Sequence, residues 1–196
     1  MIGVFIEPKG KCNDFIKRWK KLFKSEFELN NYASHPPHLS IYVGNLKLNK
    51  SLILELQKLS KKFNEMEIVI NKLDIFQNDI FTNKDTIFLK VKKNNKLLKY
   101  QLCVAKIVKN YILSSKKKIK FSNKNLDESY QNFGFPFVGK HWIPHFTLAS
   151  VKSFDNSNLY KKIIKEKILF KFKINKISLW KINKEKHKKI LDIKLN

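Results

Sequence analysis

Apolar residues along the chain follow two periods, and the switches between them mark out the elements. Ile2-Gly3-Val4-Phe5-Ile6 is a short apolar run ended by Pro8 and Gly10, as a strand running into a turn would be. Phe15, Trp19, Leu22 and Phe23 then recur at helical spacing to about Phe27, with Asn13 as the expected N-cap. Residues 30–37 are a loop that closes on Pro36-Pro37, which force extended backbone. A strand is expected from His38 to Val43, turned by Gly44-Asn45. Leu52, Leu56, Leu59 and Phe63 form the stripe of a second helix. Alternation returns over 66–76, and another strand follows at 87–91.

Leu97, Leu98, Leu102, Ala105 and Val108 predict a helix over 96–113. Beyond it, a strand at 145–151 leads to a helix carrying Leu159, Ile163 and Ile164, capped by Asp155 or Asn156. A long strand over 169–182 and a last one over 190–195 complete the chain. Residues 114–140 fit neither period and read as an insert. They hold the run Lys116-Lys117-Lys118 and the glycine-bounded aromatic loop 133–139, either a lid over a site or a buried plug.

The pattern repeats. Motif strand, helix, long strand, turn, strand describes residues 38–91 and again 145–195. Ile70-Asn71-Lys72-Leu73-Asp74-Ile75-Phe76 aligns with Ile174-Asn175-Lys176-Ile177-Ser178-Leu179-Trp180. Val4-Phe5-Ile6 with its helix is echoed by Ile87-Phe88-Leu89 with the Leu98 helix. The expectation is an α+β fold: one bilobal unit over 1–196, a pseudo-two-fold repeat of antiparallel strands with helices on the outer faces.

The chemistry sits at the start of each motif strand. Pro37-His38-Leu39-Ser40-Ile41 returns as Pro144-His145-Phe146-Thr147-Leu148. On a strand, i and i+2 share a face. His38 pairs with Ser40 and His145 with Thr147, and the apolar residues between them face the core. Pseudo-symmetry would set the two strands opposite each other across a groove. Transfer at a phosphodiester needs a base for the attacking oxygen and an acid for the leaving one, and imidazoles suit both near pH 6.5. The two hydroxyls can donate to the non-bridging oxygens.

Composition changes the picture in one respect. A formal charge of +25 would attract a polyanion. Arg18 is the only arginine, however, and a lysine, asparagine and isoleucine excess is also what an AT-rich coding bias produces. At 43% apolar the chain can bury a core, no run is long enough to span a membrane, and no leader is evident. Cys12 and Cys103 fit no metal or redox motif, so a cytoplasmic setting is expected.

The two His-x-Ser/Thr motifs, each with its preceding proline and each on a repeated strand, resemble those of the 2H phosphoesterases. That family includes bacterial 2′-5′ RNA ligase-like proteins and 2′,3′-cyclic nucleotide phosphodiesterases. The resemblance implies a bilobal α+β body with the site in a cleft between the lobes and no metal or other cofactor. It implies His38 and His145 as acid and base, in an order left open, with Ser40 and Thr147 as phosphate ligands. The expected partner is RNA, an oligonucleotide or a cyclic nucleotide, with no membrane, and the chain is expected to act as a monomer. Cleavage of 2′-5′ oligoadenylate or of cyclic-nucleotide messengers is an alternative, and a non-catalytic RNA-binding module another.

Other residues carry weaker readings. Phe76 and Trp180 hold equivalent repeat positions, either as core aromatics or as stacking platforms for a base. His35, His38, His141 and His145 could be read as a metal set, but that leaves the repeated hydroxyls unexplained. His35 and His141 are otherwise expected in loops or at the rim, and His187 in a solvated lysine-rich turn.

Overall fold

The strands pair as the alternation implies, and their order explains the repeat. In the computed structural model, which describes residues 1–28, 30–113, 120, 121, 123–152, 154–183 and 186–196, the strands are β1 (Ile2–Ile6), β2 (Leu39–Gly44), β3 (Met66–Phe76), β4 (Asp85–Val91), β5 (His145–Val151), β6 (Phe170–Ile174), β7 (Lys176–Asn183) and β8 (Lys186–Lys194). The helices are α1 (Gly10–Glu26), α2 (Lys50–Ser60), α3 (Asn95–Val108), α4 (Lys124–Phe133) and α5 (Asn158–Ile163). The Lys116–118 run lies outside the described residues.

All pairings are antiparallel, in the order β6-β3-β4-β5-β2-β1-β7-β8. The sheet therefore has two four-stranded halves, and the ladder between them is the single pair Leu39↔Phe146. Each half places its motif strand inward, at that junction. The expected long strand over 169–182 is broken at Asn175. Its first part pairs with β3 in one half and its second with β1 in the other. One chain segment thus links the two ends of the sheet and curls it round on itself.

The helices interlock the halves. Trp19, Ile16 and Phe23 of α1 are buried, and α1 packs on β5; α3, with Leu97, Tyr100 and Val104 buried, packs on β2. Each repeat's first helix covers the other repeat's motif strand. Leu39 and Phe146, both fully buried, lie on this helical face. The remaining motif residues point to the opposite face.

Several boundaries differ from the sequence reading, for local reasons. α1 starts at Gly10 with no side-chain cap, so Asn13 lies in its first turn. Ser157, not Asp155 or Asn156, caps α5, its Oγ accepting from the Tyr160 amide at 3.1 Å. α3 ends at Val108 because the next residues serve a loop instead. The Tyr111 carbonyl accepts from the Lys47 amide, and the Leu113 amide donates to the Asn45 carbonyl. Within 114–140, α4 is a helix capped by Asn123 and ended by Gly134 at φ 62°. Loop 133–139 is packed down. Tyr42 Oη donates to the Phe133 carbonyl at 2.7 Å. Gln101 donates to the Phe137 carbonyl and accepts from the Gly139 amide. The plug reading is the one this packing favours.

Candidate active site

The register at the junction sets the geometry. Leu39↔Phe146 is an antiparallel pair, so continuing it one residue either way sets Ser40 across from His145 and Thr147 across from His38. Each hydroxyl therefore faces the histidine of the other motif, a relationship that neither tripeptide contains. All four side chains are half-buried.

Both imidazoles are held in the same way. His38 Nδ1 lies 2.7 Å from the Pro36 carbonyl, and His145 Nδ1 lies 2.7 Å from the Ile143 carbonyl. A carbonyl only accepts, so Nδ1 carries the proton in each ring. The neutral form then has its lone pair on Nε2.

Each ring also rests on aromatic side chains. Phe5 stacks on His38 at 4.0 Å, with Trp180 at 6.2 Å from Phe5. On the other side Phe88 lies 4.8 Å from His145, and Phe76 stacks on Phe88 at 4.1 Å while meeting His145 edge-on at 5.3 Å. Phe76 and Trp180 thus hold matching places in the two ladders, each half-buried, but Phe76 touches its histidine directly whereas Trp180 touches Phe5 beneath His38. The Trp180 indole donates to Ser178 Oγ at 2.7 Å. Phe5 and Phe88 carried a signal in the repeat, since their segments align, but only the fold puts them under the histidines. Trp142 clamps the two motifs together, its indole N–H donating to the Ser40 carbonyl at 2.9 Å.

The electrostatics are not symmetric. Burial pushes the His38 imidazole down to about 3; the bond to Pro36 opposes this, and Lys20, His187 and His35 add to the lowering. Burial also holds His145 below the usual histidine range, but the Ile143 carbonyl and the Asp79 carboxylate pull it back up. Asp79 lies in the β3–β4 turn, where it accepts from Thr86 at 2.6 Å. Nothing in its sequence context marked it.

His187 corrects the sequence reading most clearly. It lies in β8, which begins at Lys186, with its ring 4.2 Å from His35 and 5.8 Å from His38. It is half-buried at the site rather than solvated in a turn. The strand starts earlier than its apolar pattern suggests because β8 is an edge strand whose exposed face is lysine-rich. His141 sits in the single 3-10 turn before β5. Among the described residues, no group of three or more His, Cys, Asp or Glu side chains could hold a metal ion. No helix among them is long and apolar enough to cross a membrane.

Comparison with known structures and families agrees with this fold. TT0787 of Thermus thermophilus superposes with a TM-score of 0.62 at 12% identity, over 99% of this chain and 97% of that one. Escherichia coli LigT complexed with 3′-AMP gives 0.56 at 8% identity, over 99% and 97%. The LigT structure with NADP+ gives 0.52 at 8%, over 99% and 96%. At these identities the likeness is one of fold. Among curated protein sequences, none matches. The sequence profile of the 2′-5′ RNA ligase superfamily, however, matches residues 8–186. Spanning most of the chain and both histidine motifs, that match means the chain belongs to the 2′-5′ RNA ligase superfamily, within the 2H phosphoesterases.

Proposed function

We propose that the protein is a phosphodiesterase acting on 2′,3′-cyclic phosphate or 2′-5′ linked RNA ends by acid-base catalysis between His38 and His145. The observation that carries this reading is the matched anchoring of the two rings. Both Nδ1 atoms are tied to backbone carbonyls, which leaves both Nε2 atoms for proton transfer on either side of the Leu39↔Phe146 pair. The electrostatic asymmetry supports an assignment. His38, which Lys20, His187 and His35 all hold towards the neutral form, acts as base; His145, whose protonated form Asp79 favours, is the acid.

A cyclic phosphate opens by in-line displacement. His38 Nε2 takes a proton from water as its oxygen bonds to phosphorus. The bond from phosphorus to one ribose oxygen breaks on the far side, and that oxygen takes the proton from His145 Nε2. Ser40 and Thr147 donate to the non-bridging oxygens. A ribose hydroxyl in place of water would run the same site towards ligation. The LigT structures carry 3′-AMP and NADP+, both nucleotides with a phosphate on ribose, which fits a site of this kind.

The test is a substrate panel of 2′,3′-cyclic nucleotides, cyclic-phosphate RNA and 2′-5′ oligoadenylates, with product identification. Turnover of at least one ribose-phosphate ester, lost in both His38→Ala and His145→Ala, is expected. Wild type that turns over none of them would overturn the proposal.

A further inference from the structure

A pocket of about 360 Å³ lies beside the site, between α1 and the loop that leads into the first motif. Lys17, Lys20, Lys21 and Lys24 line it on one side, and 33–37 on the other. Positions 17, 21 and 24 fall on one stripe of the helix. No acidic residue lines the pocket, and none of the four lysines takes part in an ion pair among the described residues. Like charges at this spacing repel, so the arrangement is unfavourable until an anion enters.

The pocket is built rather than incidental. Lys20 is only 6% exposed, and its Nζ donates to the Tyr32 carbonyl at 2.5 Å and to the Leu148 carbonyl at 3.4 Å. It ties the loop to β5 one residue past Thr147. Burial brings its ammonium down to about 7, so an anion nearby would favour its charged form. The far wall is Pro36-Pro37, and the Pro36 carbonyl is the one that holds His38 Nδ1. His35 lines the pocket and leads through His187 to His38.

We propose that this pocket is a second phosphate subsite, taking a backbone phosphate of a single-stranded oligonucleotide whose terminal phosphate lies between His38 and His145. The inference rests on the RNA-end reading above and deepens it: the substrate is a chain rather than a mononucleotide. Lysines act here as point charges on phosphate, and the affinity they supply depends on salt.

The experiment measures binding without turnover. A short single-stranded RNA ending in a 3′-phosphate, 3′-AMP, and adenosine 3′,5′-bisphosphate are titrated over a series of salt concentrations. The proteins are wild type, the triple variant Lys17→Gln, Lys21→Gln, Lys24→Gln, and a charge-matched control at and just beyond the C-terminal end of α2, Lys58→Gln, Lys61→Gln, Lys62→Gln. Thermal unfolding checks that all are folded. The pocket variant is expected to bind the RNA about tenfold more weakly, with a log–log salt slope smaller by about 0.7 for each phosphate that the lysines no longer neutralise. Its affinity for 3′-AMP should match wild type, and the control should bind RNA nearly as tightly as wild type.

Equal weakening in both triple variants would mean diffuse charge and overturn the subsite, as would unchanged binding in both. An equal weakening for the bisphosphate would overturn the backbone-phosphate assignment. Lysine-dependent RNA binding by a protein that turns over no ester would retain the subsite and remove the catalytic reading instead.

Discussion

Phe5 lies face to face with His38, ring centroids 4.0 Å apart and planes 28° from parallel. Gly3 makes this possible. A Cβ at Gly3 would come within 2.2 Å of Phe5 Cζ, and Phe5 is only 1% exposed, so its ring has nowhere to go. Gly3→Ala is therefore expected to push Phe5 against His38. Overpacking of this sort costs about 1–3 kcal/mol. Turnover should fall about tenfold or more, because a displaced acid-base group loses its alignment. Thermal unfolding and kcat are the measurements; wild-type values of both would show that the ring has room to spare.

Both histidines should be needed. His38→Ala and His145→Ala are each expected to lower kcat by about 10²–10⁴-fold, the usual worth of a positioned acid or base. Single-turnover rates on the best substrate of the panel decide it. Near-wild-type chemistry in either variant would remove the two-histidine mechanism.

The hydroxyls should matter less than the imidazoles. Ser40→Ala and Thr147→Ala each delete one donor facing the opposite motif, and a loss of about 10–10³-fold in kcat is expected from each. A double variant with unchanged rate constants would mean that the hydroxyls serve the strands and not the phosphate.

The pH dependence follows from the direction of the shifts. The base must be neutral and the acid protonated, so kcat/KM should trace a bell. His38 lies near 3 and His145 below its usual range, so the bell of the free enzyme should peak on the acid side of 6.5. His187 is among the groups that lower His38. His187→Phe keeps a ring in place but removes that charge, and should move the rising limb to higher pH. An unmoved limb would separate His187 from His38. The same shift bears on stability: the fold disfavours protonated His38, so its contribution is present above about 6.5 and lost as pH falls towards 3.

The loop 133–139 should behave as part of the core. The Gln101 amide serves the Ile41, Phe137 and Gly139 backbone groups. Gln101→Leu leaves these unsatisfied at a fully buried position, with a penalty of about 1–3 kcal/mol for each group that finds no water. A fall in the unfolding temperature of several degrees is expected. An unchanged temperature with faster turnover would instead point to a lid.

The sequence by itself determined the elements and the pair of motifs. Strand alternation and helical stripes are local, and Leu39 and Phe146 had to face a core whatever the topology. That placed His38, Ser40, His145 and Thr147 on the other face, and the duplicated frame marked them as a set. The repeat even aligned Phe5 with Phe88 and Phe76 with Trp180. What it could not supply was the pairing between repeats. The break at Asn175, the helix of each repeat lying over the other's motif strand, and the crossing of Ser40 to His145 all depend on contacts between distant segments.

His187 and Lys20 show the same limit. A histidine among lysines on an edge strand has no periodic signature, because one face of that strand is solvent. Lys20 sits among other lysines of an amphipathic helix with nothing local to set it apart, yet the curled sheet brings the Leu148 carbonyl to its ammonium. Burial, and with it the direction of each pKa shift, depends on what packs above a residue. That is decided by the tertiary structure, since desolvation depends on every element that closes around a group and not on the few residues beside it in the chain.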